Sequence, residues 1–188
     1  MTRPGFGLLA ALLAGTFVGC GSDDDSSNPP PGGDAQNPPM GRAAVEAWLS
    51  ANHYKSWRCE SAPHAARSPS PHGINRICSN NLLSQHGAGE YPVGSAAVKE
   101  LLDASNNIIG YAVYRHTRAG TTGDTWYWYE RIPASTPTSQ VPHDGNGIVA
   151  DGMGGGTGPE ETICVGCHQG AGSDAAHSGH DFVYTQVK

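Results

Sequence analysis

Thr125-Trp126-Tyr127-Trp128-Tyr129-Glu130-Arg131-Ile132 is the stretch on which the fold turns. Four aromatic rings in succession suit a β-strand, where large flat side chains pack against neighbours on a pleated surface. Side chains alternate along a strand, so Trp126 and Trp128 share one face while Tyr127 and Tyr129 share the other. One of those faces is expected to pack on the core or on a bound group.

Working outward, residues 107–116 read as a second strand, joined to the first by a hairpin-type turn containing Gly120 and Gly123. Residues 91–102 read as another strand, entered through Pro92, and residues 181–187 as a short terminal one. Residues 42–57 carry Val45, Trp48, Leu49 and Asn52 on one helical face, with Ala43, Ala44, Ala47 and Ala51 supporting a helix. Trp48 is its core anchor. Residues 59–89, with Pro63, Pro69, Pro71 and Gly73, read as irregular, and residues 133–158 as a long Gly- and Pro-rich loop over a pocket. That loop lacks a phosphate-binding signature. Asp144-Gly145-Asn146-Gly147 resembles a calcium loop only faintly, because Gly155 stands where the bidentate acid belongs. The fold class is α+β: a mainly antiparallel β-sheet with flanking helices.

Residues 1–19 have the form of an export signal, with Arg3 followed by an apolar run too short to span a bilayer. Gly19-Cys20 followed by Gly21-Ser22-Asp23 matches a lipoprotein processing site, which makes Cys20 the lipid-bearing residue. Ordinary secretion with an incidental cysteine is the alternative. Residues 20–41 are rich in Pro, Ser, Gly and Asp and read as a disordered tether, leaving 42–188 as a single domain. The expected location is exported and membrane-anchored through the N-terminal lipid, facing the periplasm. The formal net charge of −6 over 188 residues, with no basic patch, speaks against nucleic acid as a partner.

The five cysteines then sort themselves. Cys59 and Cys78 are expected to form a disulfide, as an oxidising compartment favours, with two separate buried thiols as the alternative. Cys164-Val165-Gly166-Cys167-His168 has the C-x-x-C-H form of a covalent haem attachment site, a C-terminal haem-attachment turn. Two thiols join the haem vinyl groups and His168 ligates the iron. A zinc site from Cys164, Cys167, His177 and His180 is poorly spaced, and a thioredoxin-like C-x-x-C needs a following βαβ unit that the chain has no room to build. No methionine follows His168, and Met153 precedes it. The second axial position is therefore open, or filled by a histidine such as His72 in Ser70-Pro71-His72-Gly73.

Three features carry a family resemblance. The segment Tyr91-Pro92-Val93-Gly94-Ser95-Ala96-Ala97-Val98-Lys99-Glu100 matches a P-x-G-x-x-x-x-K-E pattern, the aromatic strand follows, and C-x-x-C-H precedes Asp181-Phe182-Val183-Tyr184. Over residues 42–188 the chain thus resembles the cytochrome P-460 family, which includes the beta-sheet cytochromes c-prime. The segment between Cys59 and Cys78 is not part of that pattern. The resemblance implies an antiparallel β fold, usually dimeric, with haem c, His168 proximal and an open distal side. It implies chemistry on hydroxylamine or binding of diatomic gases such as NO, with a redox partner protein. Lys99 matches the lysine that P-460 members cross-link to the haem edge. Glu100, Asp144 and His72 are candidates for a distal acid or base. The alternative function is a non-enzymatic electron-transfer cytochrome with both axial sites filled, and a third is a structural metal-binding lipoprotein without haem.

Overall fold

The structure is a computed structural model and describes residues 37–67, 70–87, 89–171 and 181–188. The export signal, Cys20 and residues 20–36 of the tether lie outside the described residues, while residues 37–41 are held against the domain through Asn37, Pro38 and Gly41. Among the described residues no helix is long and apolar enough to cross a membrane.

Six strands form one sheet in chain order, each antiparallel to the next: β1 (Arg58–Cys59), β2 (Ile74–Ser79), β3 (Ala96–Leu102), β4 (Ile108–His116), β5 (Trp126–Arg131) and β6 (Ile148–Met153). With a few short helices on it, the fold is α+β. The aromatic strand is β5, and its alternation sorts the two faces. Tyr127 and Tyr129 join Val98 and Val113 on one face, where α1 (Arg42–Ser50) lays down Val45, Trp48 and Leu49. Trp126 and Trp128 belong to the other face, which is covered by residues from the C-x-x-C-H segment and by Phe182 and Val183. Burying each large apolar side chain of this kind is worth roughly 1.5–3 kcal/mol, so both faces contribute substantially.

Several boundaries differ from the sequence expectations. The first helix stops at Ser50, because Asn52 takes a left-handed conformation (φ 60°) that an asparagine tolerates. A 3₁₀ turn over His53–Ser56 then sends Tyr54 into the core. Residues 91–95 are not strand. Ser95 N donates to the Pro92 carbonyl across a tight turn, with Gly94 at φ 96°, a conformation suited to glycine. Residues 59–89 are not irregular throughout: they hold β2 and the short α2 (Asn81–Ser84), capped by the Asn80 side chain on Leu83 N. The 133–158 loop contains β6, whose Ile148, Val149 and Ala150 are buried. Residues 181–188 form no strand. Phe182 is left-handed at φ 53°, and the segment is tied down by side chains instead, with Gln186 Nε2 donating to the carbonyls of Leu83 and His86.

The expected disulfide is present. Cys59 and Cys78 are direct partners across the β1–β2 pair and are bonded to each other.

Candidate functional site

The C-x-x-C-H residues sit on a helical segment rather than a turn: a π-helical stretch (Glu160–Val165) runs directly into α3 (Gly166–His168). Such wide turns are rare and concentrate at functional positions. Two carboxylates fasten this segment to β6 and the chain after it. Glu160 accepts from Asp151 N at 2.7 Å and Glu161 from Gly155 N at 2.6 Å. Val165 seals it against glycines. A Cβ on Gly154 would come within 2.2 Å of the Gly123 carbonyl oxygen and 2.8 Å of Val165, so only glycine permits this approach.

Helical i, i+3 spacing brings Cys164 and Cys167 to one side of the segment. Both are free thiols. Burial, helped by Glu130 and Glu160, pushes the Cys164 thiol well above the usual range, so it stays protonated.

His168 is packed among Trp128, Tyr114 and Tyr184, with ring centroids at 4.8, 5.6 and 5.6 Å. Its Nδ1 lies 2.8 Å from the Phe182 carbonyl oxygen, which can only accept. Nδ1 therefore carries the proton, and Nε2 carries the lone pair that a metal requires. Burial pulls the imidazole down to about 4, with the charges of Lys99 and His72 acting in the same direction against the Phe182 bond. The ring is thus neutral at ordinary pH.

The sheet supplies the opposite wall. Ile77, Lys99, Ala112, Glu130 and Ala150 are successive cross-strand partners, one row across five strands. Lys99 and Glu130 are separated only by Ala112, whose small side chain leaves room between them. Lys99 Nζ reaches Ser70 Oγ at 3.4 Å and makes no ion pair among the described residues. Burial lowers its ammonium to about 8 even though Glu130 opposes the shift. Glu130 Oε1 pairs instead with His72 Nδ1 at 3.2 Å.

Two cavities open between these walls. One of about 130 Å³ is lined by Lys99, Arg67 and His64, and one of about 250 Å³ by Glu130, Cys164, Leu101 and Ile163. Pro71, His72, Tyr114, Cys167 and His168 border both, so the two form lobes of a single cleft. A donor set of two thiols and one neutral imidazole, on an aromatic, largely apolar cleft, fits a covalently held haem.

Cys164, Cys167, His168, Lys99 and His72 therefore converge. Glu100 does not: it lies on the opposite face, accepting hydrogen bonds from Tyr54, Lys55 and Arg76. Asp144 closes its own loop by accepting from Asn146 N and Ile148 N. Met153 packs against the helix-side core, with Thr117 Oγ1 donating to its sulfur. These two acids are excluded as distal groups by their placement. His177 and His180 lie outside the described residues, and no cluster of three metal-binding side chains exists among the described ones. Glu130 is the site residue that the sequence reading did not single out. The signal was its parity with Trp126 and Trp128.

Compared with family models, characterised proteins and solved structures, the chain matches none.

Proposed function

We propose that this chain is an exported, lipid-anchored c-type haem protein of the cytochrome P-460 kind, which binds or oxidises a small nitrogenous molecule of the hydroxylamine or NO class. The observation that carries the reading is the convergence of Cys164, Cys167 and a tautomerically fixed His168 on one cleft. Cys164 and Cys167 would hold the haem and His168 would ligate its iron. Haem bound there supplies an iron that takes up a small ligand and accepts electrons. Glu130, paired with His72, is the polar group placed to take protons from a substrate as electrons leave for a redox partner protein. The aromatic wall of Trp128 and Tyr114 excludes water behind the proximal imidazole. Lys99 is the side chain for the further covalent link that P-460 members carry, and its buried, partly neutral amine supports that role.

A second reading has one observation in its favour. His72 borders both lobes of the cleft that His168 lines. If His72 fills the sixth position, the protein is an electron-transfer cytochrome without substrate.

Expression in a host with a cytochrome c maturation system tests both readings. Haem that survives denaturation, and is lost in Cys164→Ala/Cys167→Ala, is the expected result. Zinc without haem would remove both readings. A low-spin six-coordinate spectrum, indifferent to NO and hydroxylamine, would favour the second.

A further inference from the structure

Phe182 is one of three non-glycine residues with positive φ among the described residues, and the other two are asparagines, which tolerate it. A bulky aromatic residue persists in that conformation only where its surroundings hold it. The Phe182 carbonyl is also the acceptor for His168 Nδ1, so the strained peptide and the histidine anchor are the same group.

The residues around it explain the hold. The Phe182 ring meets Trp126 and Trp128 at 6.5 and 6.4 Å, and Val183 is fully buried. On the other side Asp181 turns inward. Its Oδ2 is buried without a hydrogen-bond partner, facing Tyr91, His116 and Trp126. Tyr91 Oη, His116 Nδ1 and Trp126 Nε1 are likewise buried and unpartnered. They belong to one cluster, with His116 stacked on Trp126 at 4.6 Å and Tyr91 edge-on to it at 6.2 Å. The carboxylate oxygen and the three polar atoms around it are satisfied by small relaxations or by a buried water, since buried polar groups are almost always paired.

We propose that Asp181 is the positioning residue of the proximal side: gripped by Tyr91, His116 and Trp126, it locks Phe182 in its left-handed conformation so that the Phe182 carbonyl takes the Nδ1 proton of His168. The inference rests on His168 as the haem ligand. Burial raises the Asp181 carboxyl above its ordinary range, Glu90 adding to it against His116 and Trp126. Holding the Nδ1–H bond fixes the rotation of the imidazole and makes Nε2 a stronger donor.

The test compares Asp181→Leu and Asp181→Asn with the wild-type holoprotein, reading the ferrous iron–histidine stretch by resonance Raman and the reduction potential. Asp181→Leu is expected to move the stretch to lower frequency and raise the potential at unchanged covalent haem content. Asp181→Asn, which keeps an acceptor oxygen, stays near wild type. Adding Phe182→Gly to Asp181→Leu is expected to return the stretch towards wild type, because glycine adopts positive φ without an anchor. Should Asp181→Leu not fold, Asp181→Ala carries the same expectation. A stretch and potential unchanged in Asp181→Leu, or in Asp181→Ala where it replaces it, overturn the proposal. Wild-type protein without covalent haem overturns the haem reading instead, and the ¹⁵N spectrum of its His168 imidazole then decides the positioning. An Nδ1–H tautomer kept in Asp181→Asn and lost in Asp181→Leu upholds it, and one indifferent to residue 181 overturns it.

Discussion

Lys99 and Glu100 are consecutive in β3, carry opposite charges, and face opposite sides of the sheet. The Lys99 ammonium borders the cleft, whereas the Glu100 carboxylate is held in the helix-side core by Tyr54, Lys55 and Arg76. Neither charge serves the other, so substitutions at the two positions separate site chemistry from stability.

Glu100→Gln removes the negative charge shared by two cations that are themselves only partly exposed. Breaking such a pair leaves them uncompensated and is expected to cost about 2–3 kcal/mol, less than for fully buried partners. Chemical denaturation of the variant checks this, and a loss under about 0.5 kcal/mol would contradict the arrangement.

The same carboxylate shapes the acid limb of stability. Burial alone would raise its pKa, but the hydrogen bonds from Lys55, Arg76 and Tyr54 outweigh burial and hold it below the usual range. A carboxyl depressed by folding lends stability that is complete above its unfolded value, about 4.3, and is lost as pH falls through the lower folded value. The denaturation midpoint should therefore drop as pH falls below about 4. Glu100→Gln should flatten that limb, and an equally steep limb in the variant would assign it to other groups.

Lys99→Met removes an ammonium that burial disfavours and replaces it with an apolar chain of similar length. Stability is expected to hold or rise, while the haem absorption spectrum changes. A red-shifted Soret band lost in both Lys99→Met and Lys99→Arg marks the covalent link to the haem edge. The same band persisting in both would remove Lys99 from that role.

Glu130→Gln leaves the shape of the cleft intact and removes the carboxylate beside His72, the base in the proposed reaction. Covalent haem content should be unchanged, and hydroxylamine turnover should fall by about 10²-fold or more, the usual scale for a general base. Turnover within about threefold of wild type would place proton removal elsewhere, a factor worth less than 1 kcal/mol of barrier.

Cys59→Ala/Cys78→Ala opens a loop whose ends are 19 residues apart. The loop-closure estimate gives a loss of about 3 kcal/mol. The intervening segment supplies His64, Arg67 and His72 to the cleft, so ligand binding should weaken as well. Denaturant titration and NO binding measure the two effects separately.

Much of the sheet could be read from local pattern, because β4 and β5 carry rings and branched side chains bounded by glycine turns. β2 escaped because Asn75, Arg76 and Ser79 interrupt its apolar residues, and two of those polar side chains are buried by pairing rather than by hydrophobicity. β6 escaped because Gly152 and the glycines after it resemble loop. In the site, the cysteines and His168 were legible from spacing alone. Lys99 was legible only through resemblance. The pairing of Glu130 with His72 depends on a loop folding back over the sheet, which no local pattern encodes.

Strand order follows chain order throughout the sheet. Each hairpin can close on its neighbour without waiting for distant chain, the condition under which β-structure forms fastest. The cleft is assembled differently. Its lysine wall belongs to β3, and its thiols reach that wall only after the helical segment doubles back from β6 across β5 and β4. A chain built this way can complete its sheet before Cys164 and Cys167 meet their pocket, so the two thiols stay accessible until the helical segment docks.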